Sequence, residues 1–177
     1  MVVCPFRGVA VTAIDNIPVA STPPGGYGEH DRGRYERTLP PPILADAPQE
    51  LAPGVPDLRG TWKVIDLTSN GTRVPADNPQ WQHFERIEQS GDRVVVTGGG
   101  IIHDFPHVDG TLENALRDVM AIDFATPLVV TATFDDGALV LRQDGNDAIR
   151  VTRHLEGEHL IWDYSGVFRA TMERIDH

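Results

Sequence analysis

Pro56-Asp57-Leu58-Arg59-Gly60-Thr61-Trp62-Lys63-Val64-Ile65-Asp66 is where a proline-rich leader ends and β-type sequence begins. Gly60-Thr61-Trp62 opens the first convincing strand, and strict alternation puts Trp62, Val64 and Asp66 on one face. From there to the C-terminus, strand-like runs alternate with turn signals. The last run is Gly166-Val167-Phe168-Arg169-Ala170-Thr171-Met172-Glu173-Arg174-Ile175. Ser69-Asn70-Gly71, Ser90-Gly91-Asp92, Val108-Asp109-Gly110-Thr111 and Asp135-Asp136-Gly137 supply residues that accept turn geometry. Between them, 58–67, 81–89, 93–97, 101–105, 127–134, 138–143, 148–154 and 159–164 read as strands. Residues 72–79 carry Pro75 and Pro79 and read as a loop. Residues 112–120 stay open: Leu112, Leu116 and Val119 have helical spacing, yet the segment's position suits a hairpin arm.

Short hairpins cannot build a parallel sheet, which needs long crossovers. The expectation is therefore an all-β fold, a single antiparallel up-and-down β-barrel of about eight to ten strands with a proline-rich N-terminal arm or lid. Closure removes exposed edges. A barrel of that size has a hollow with room for one small guest.

Toward the N-terminus the character changes. Ten of the fourteen prolines precede Asp57. Pro23-Pro24-Gly25-Gly26 and Pro40-Pro41-Pro42 forbid a sheet interior. The expected division is an arm over residues 1–56 and a barrel domain over 57–177. Val2, Val3, Phe6, Val9, Val11, Ile14, Ile17 and Val19 are more apolar than a linker requires. Residues 1–20 are either a disordered tail or a lid folding over the barrel mouth to exclude water.

The chain has 177 residues, enough for one domain with a real core, and a formal net charge of −11. That charge argues against nucleic acid, whose phosphates demand a basic face, and against docking on an anionic membrane. Cys4 is the single cysteine, so no internal disulfide and no Cys-based zinc site can form. No signal peptide and no run of transmembrane length is visible. The expectation is a cytoplasmic monomer or homodimer whose partner is a small hydrophobic molecule.

Standard catalytic parts are missing from the sequence. His103 and His107 are four apart, but Pro106 lies between them in strand-like sequence, so no metal is expected. Gly98-Gly99-Gly100 lacks the Lys-Ser/Thr and the following helix of a phosphate loop, and reads as a bend. No Gly-x-Ser-x-Gly elbow occurs. No cofactor is implied, and the catalytic residues stay unknown at this level. Alternation supplies a candidate lining instead. With Ile87 inward, His83, Glu85 and Gln89 share its side; Thr131 and Thr133 share a face, as do Trp162 and Tyr164. Together with His103, these suit a pocket for a mostly apolar guest with a few polar anchors.

Gly60-x-Trp62 at the first strand and Arg174 in the last resemble the calycin group, the lipocalin and fatty-acid-binding-protein-like barrels. The resemblance implies a cation stacked on the indole to plug the closed end. The lipocalin disulfides are absent. The segment from Phe84-Glu85-Arg86-Ile87 through Val94-Val95-Val96-Thr97 to Asp109-Gly110-Thr111 resembles small barrels of actinobacterial polyketide clusters. Some of these close spirotetronate or spirotetramate rings. That resemblance implies a cyclase catalysing an intramolecular [4+2] cycloaddition of a polyene in antibiotic biosynthesis. Such a reaction needs its two ends held close and a hydrogen-bond donor on the activated carbonyl; Gln89, Tyr164 and His103 are the candidate donors. The alternative is a non-catalytic carrier of a small hydrophobic ligand.

Overall fold

A computed structural model describes residues 12–29 and 33–175. Eleven strands form one antiparallel sheet: β1 (Gly60–Ser69), β2 (Thr72–Arg73), β3 (Phe84–Ser90), β4 (Arg93–Gly98), β5 (Ile101–Phe105), β6 (Leu116–Val119), β7 (Pro127–Asp135), β8 (Ala138–Gln143), β9 (Arg150–Glu156), β10 (His159–Tyr164) and β11 (Phe168–Arg174). The order is β5-β4-β3-β1-β11-β10-β9-β8-β7-β6, with the two-residue β2 paired to β1 outside that path. First and last strands pair, as Trp62 opposite Arg174 and Val64 opposite Met172. The sheet therefore curls into a nearly closed barrel. Among the described residues no helix is long and apolar enough to cross a membrane.

Two sequence expectations change at element level. Trp81 lies in a 3-10 turn, Pro79–Gln82, not in a strand; Asn78 caps it by accepting from the Gln80 N–H. Pro79 leads that turn, a position where its missing N–H costs nothing. The ambiguous segment resolves as the short strand β6, which pairs with β7.

Alternation holds along most strands. Trp62, Val64, Ile87, Val94, Val96, Phe105, Leu139, Leu160, Ala170 and Met172 form one buried cluster inside the barrel. The register of β1 shifts between Val64 and Asp66. That bulge reverses the phase, so Leu67 turns inward and Asp66 stays half exposed beside Arg73. Asp66 as an inward residue is thus corrected. At one end Arg174 sits 4.5 Å over the Trp62 ring. The Trp62 indole N–H donates to the Leu58 carbonyl at 3.0 Å.

Residues 12–22 lie along the outside of β4 and β5. There Ile17, Ala20, Tyr27 and Ile43 pack around Leu44, Ala47, Val95 and Ile102. β4 is consequently buried on both faces. The Arg93 guanidinium donates to the carbonyls of Ile14 (3.2 Å), Ile17 (2.9 Å) and Pro18 (3.0 Å). It also forks onto Asp104 at 3.0 and 2.7 Å, and Asp104 accepts the Ala20 N–H at 2.9 Å. Thr22 then bridges β5 to β6: its hydroxyl accepts from the Ile102 N–H, while its own N–H and O–H donate to Asp118. The strap fills the one seam of the barrel that no strand ladder closes among the described residues. The expected lid over 1–20 falls outside the described residues for 1–11.

Candidate functional site

Toward the β4–β5 turn, one end of the barrel carries charge inside an apolar wall, with Glu85 the β3 ladder partner of Trp62. On β3, inward positions are Glu85, Ile87 and Gln89, and His83 joins them from the turn just before the strand. All four are buried. On β9, Val151 packs into the barrel core and Arg153, two residues on, is buried beside it. Arg153 meets Glu85 as a two-point fork, Nε to Oε1 at 2.7 Å and Nη2 to Oε2 at 2.9 Å. His83 Nε2 lies 3.4 Å from the same carboxylate.

Rings complete the cluster. Trp162, opposite Arg153 in the β9–β10 ladder, lies 4.6 Å from the His83 ring and 5.3 Å from the Arg153 guanidinium carbon. Phe168 meets Trp162 edge-on at 4.6 Å, and Tyr164 stacks outside Phe168 at 5.7 Å. His103, on β5, faces the same interior. Glycine makes room: a Cβ at Gly98 would stand 2.8 Å from the Glu85 Cβ and 2.9 Å from the Phe84 carbonyl, so only glycine lets β4 approach β3 here.

Electrostatics follow from burial and partners. Burial pushes the Glu85 carboxyl upward, but the Arg153 charge and hydrogen bonds from Arg153 and His83 outweigh it and hold it at about 2. Burial pushes His103 down to about 4, against the opposing pull of Asp118 and a hydrogen bond with the Val119 backbone. His103 is therefore a neutral imidazole at pH 7. Four buried polar atoms in this cluster have no hydrogen-bond partner: His83 Nδ1, His103 Nε2, Arg153 Nη1 and Trp162 Nε1. An unmet buried donor or acceptor costs about 1–3 kcal/mol, so four in one place make this cluster the candidate site.

The leader stoppers this end. Tyr35 meets His83 edge-on at 5.7 Å. The Tyr27 N–H donates to the Gly100 carbonyl at 2.7 Å. Arg37 stacks 4.5 Å over Phe124 and donates to the Gly25 carbonyl. Gly100, at φ 88°, could carry no side chain there without striking Arg37. So Tyr35, from the charged stretch of the leader, lies against the cluster. The roomy hollow expected from the sequence is not what these contacts show, since rings and side chains occupy this end. Two clefts open elsewhere. One of about 400 Å³ lies between Pro53, Val55, Asp92 and Thr133; another of about 200 Å³ lies between Ala20, Asp104 and Arg117.

Of the residues singled out from the sequence, His83, Glu85, His103 and Trp162 come together. Ile87 belongs to the plain core. Tyr164 stands at the rim. Gln89 is buried but already used: its carbonyl accepts from the Leu58 N–H at 2.6 Å and its amide donates to the Pro56 carbonyl at 3.0 Å, fixing the leader's last turn. Thr131 and Thr133 point outward, since Val130, Ala132 and Phe134 supply the inward face of β7; the Thr133 hydroxyl meets Asp135 and Arg142 on the surface. His107 pairs with Asp92 on the surface, away from His103. Arg153 was missed, although an arginine between Val151 and Leu155 on one face of a strand is a readable signal. Tyr35 was missed because nothing local ties it to His83.

No family model and no curated protein matches the chain. Among solved structures it is similar to human cRBP IV, at 19% identity over 67% of this chain and 98% of that one, with a TM-score of 0.49. So distant a likeness carries nothing about what this chain does.

Proposed function

We propose that the barrel binds one small, largely apolar organic molecule against the Glu85–Arg153 cluster and folds it for an intramolecular [4+2] cycloaddition. The observation that carries this is the set of unmet donors, Arg153 Nη1 and Trp162 Nε1, buried among apolar rings. Donors fixed in a dry site polarise a carbonyl without reorganising, which is what an activated alkene needs. The rest of the catalysis is confinement: a guest admitted among these side chains has its reacting ends held together, which recovers several kcal/mol of entropic barrier. Glu85 fixes Arg153, and Arg153 with Trp162 holds the carbonyl. The reaction draws on no nucleophile, and none is assigned. Access requires residues 33–37 to lift from His83, after which they close over the guest. The setting we assign is a cytoplasmic monomer or homodimer.

The test uses a linear trienone, a diene tethered to an enone by a short saturated chain. Purified protein should bind it and accelerate ring closure, and Arg153→Met should lose most of the acceleration. Saturable binding with ring closure at the uncatalysed rate would refute catalysis and leave the carrier reading. Absence of binding would refute both.

A further inference from the structure

The unmet atoms are not all of one kind, and their mixture defines the head group that fits. Arg153 Nη1 and Trp162 Nε1 can only donate. His103 is different. Its Nε2 is the unmet nitrogen, so the hydrogen bond with the Val119 backbone uses the other one. That bond favours the charged ring, so the ring donates in it, and in the neutral imidazole Nε2 keeps a lone pair. The cluster thus offers two donors and the His103 acceptor to the same interior, with His83 Nδ1 as the fourth unmet nitrogen.

Charge narrows the choice. Glu85 and Arg153 neutralise one another in their fork. Asp118 lies close enough to act on His103. A carboxylate head would add a further negative charge to an interior that already holds Glu85 and, near His103, Asp118, and burying an unpaired charge is far costlier than burying a hydrogen-bonded dipole. An ammonium head would confront Arg153.

Resting on the binding reading above, we infer that the guest carries an uncharged head in which a carbonyl and a hydroxyl are adjacent. The carbonyl oxygen accepts from Trp162 Nε1 and Arg153 Nη1, and the hydroxyl donates to His103 Nε2.

Four probes with one apolar body separate the possibilities: hydroxymethyl naphthyl ketone, methyl naphthyl ketone, naphthoic acid and naphthylmethylamine. Affinities are read by calorimetry, and the indole N–H signals by proton–nitrogen NMR on the full-length labelled chain. The hydroxy ketone should bind about tenfold tighter than the methyl ketone, the worth of one hydrogen bond to a buried acceptor. His103→Leu should erase that ratio. Trp162→Phe, which keeps a ring in the stack, should weaken both ketones alike. On binding, the Trp162 indole signal should move. Those of Trp62 and Trp81 should stay, because their N–H groups already donate to the Leu58 and Pro75 carbonyls. Tightest binding by naphthoic acid or the amine, equal binding of both ketones, or a hydroxyl preference that survives His103→Leu would overturn the inference. Failure of every probe to bind would count against the binding reading itself.

Discussion

Arg153→Met is the sharpest perturbation of the interior, because it removes one charge of a buried pair and leaves the other. Glu85 is 1% exposed and Arg153 5%. Breaking a pair so enclosed costs about 3–5 kcal/mol, because the surviving charge has no water to turn to. For a chain of this length that is a fall of roughly 6–20 °C in Tm. The pH dependence distinguishes this cause from simple loss of packing. In the native protein the Glu85 carboxyl is held at about 2 against an ordinary 4.5. At about 1.4 kcal/mol per unit, that is about 3 kcal/mol of stability, present above pH 4.5 and lost as pH falls toward 2. In the variant burial acts without Arg153, so the carboxyl is raised instead. Its penalty is absent at low pH and grows as pH rises through the new value. The gap between the two proteins is therefore widest near pH 7 and narrows by pH 4. Urea unfolding at both pH values measures it, with Glu85→Leu/Arg153→Met as the companion. Removing both charges should bring stability back to within about 1 kcal/mol of the native protein. A gap that is below about 1 kcal/mol at pH 7, or unchanged at pH 4, or unrepaired in the double variant, would refute the account of this pair.

Two further outcomes follow from the same physics. Arg93→Met withdraws donors from the Ile14, Ile17 and Pro18 carbonyls and strands the buried Asp104. It should cost about 3–5 kcal/mol and expose residues 12–22 to limited proteolysis before the barrel unfolds; unchanged cleavage would show that Arg93 does not hold the strap. His103→Leu should flatten the stability profile between pH 6.5 and 4. The native ring is depressed from 6.5 to about 4, so the unfolded chain takes up a proton in that window and stability falls with pH by about 3 kcal/mol. A urea-midpoint series in which the variant keeps the native slope would contradict the burial of that imidazole.

The barrel was legible because alternation and turn chemistry agree over most of the chain, as in β3 and β10, where the inward set is the one read from Ile87 and Trp162. Misreadings fall where something non-local decides. The bulge in β1 turned Asp66 outward, and nothing in Val64-Ile65-Asp66-Leu67 announces a missing partner residue on β11. On β7 the phase was set by the two threonines, when Phe134, Ala132 and Val130 carried the stronger apolar signal. Gln89 was read as free because the chain end it braces lies 33 and 31 residues away. The strap was invisible for the same reason: Arg93 finds its carbonyls 75 to 79 residues earlier.

The candidate site obeys a different logic. Stability alone would place apolar residues on the inward face of β3 and β9, and those strands do so at Ile87 and Val151. Glu85 and Arg153 break that pattern at facing positions, where hydrophobic replacements would hold the barrel as well or better. A pair that stability does not require, ringed by unmet polar atoms, is what the proposed guest would account for. Local conflict with the pattern, not agreement with it, is what singles out the candidate site of this barrel.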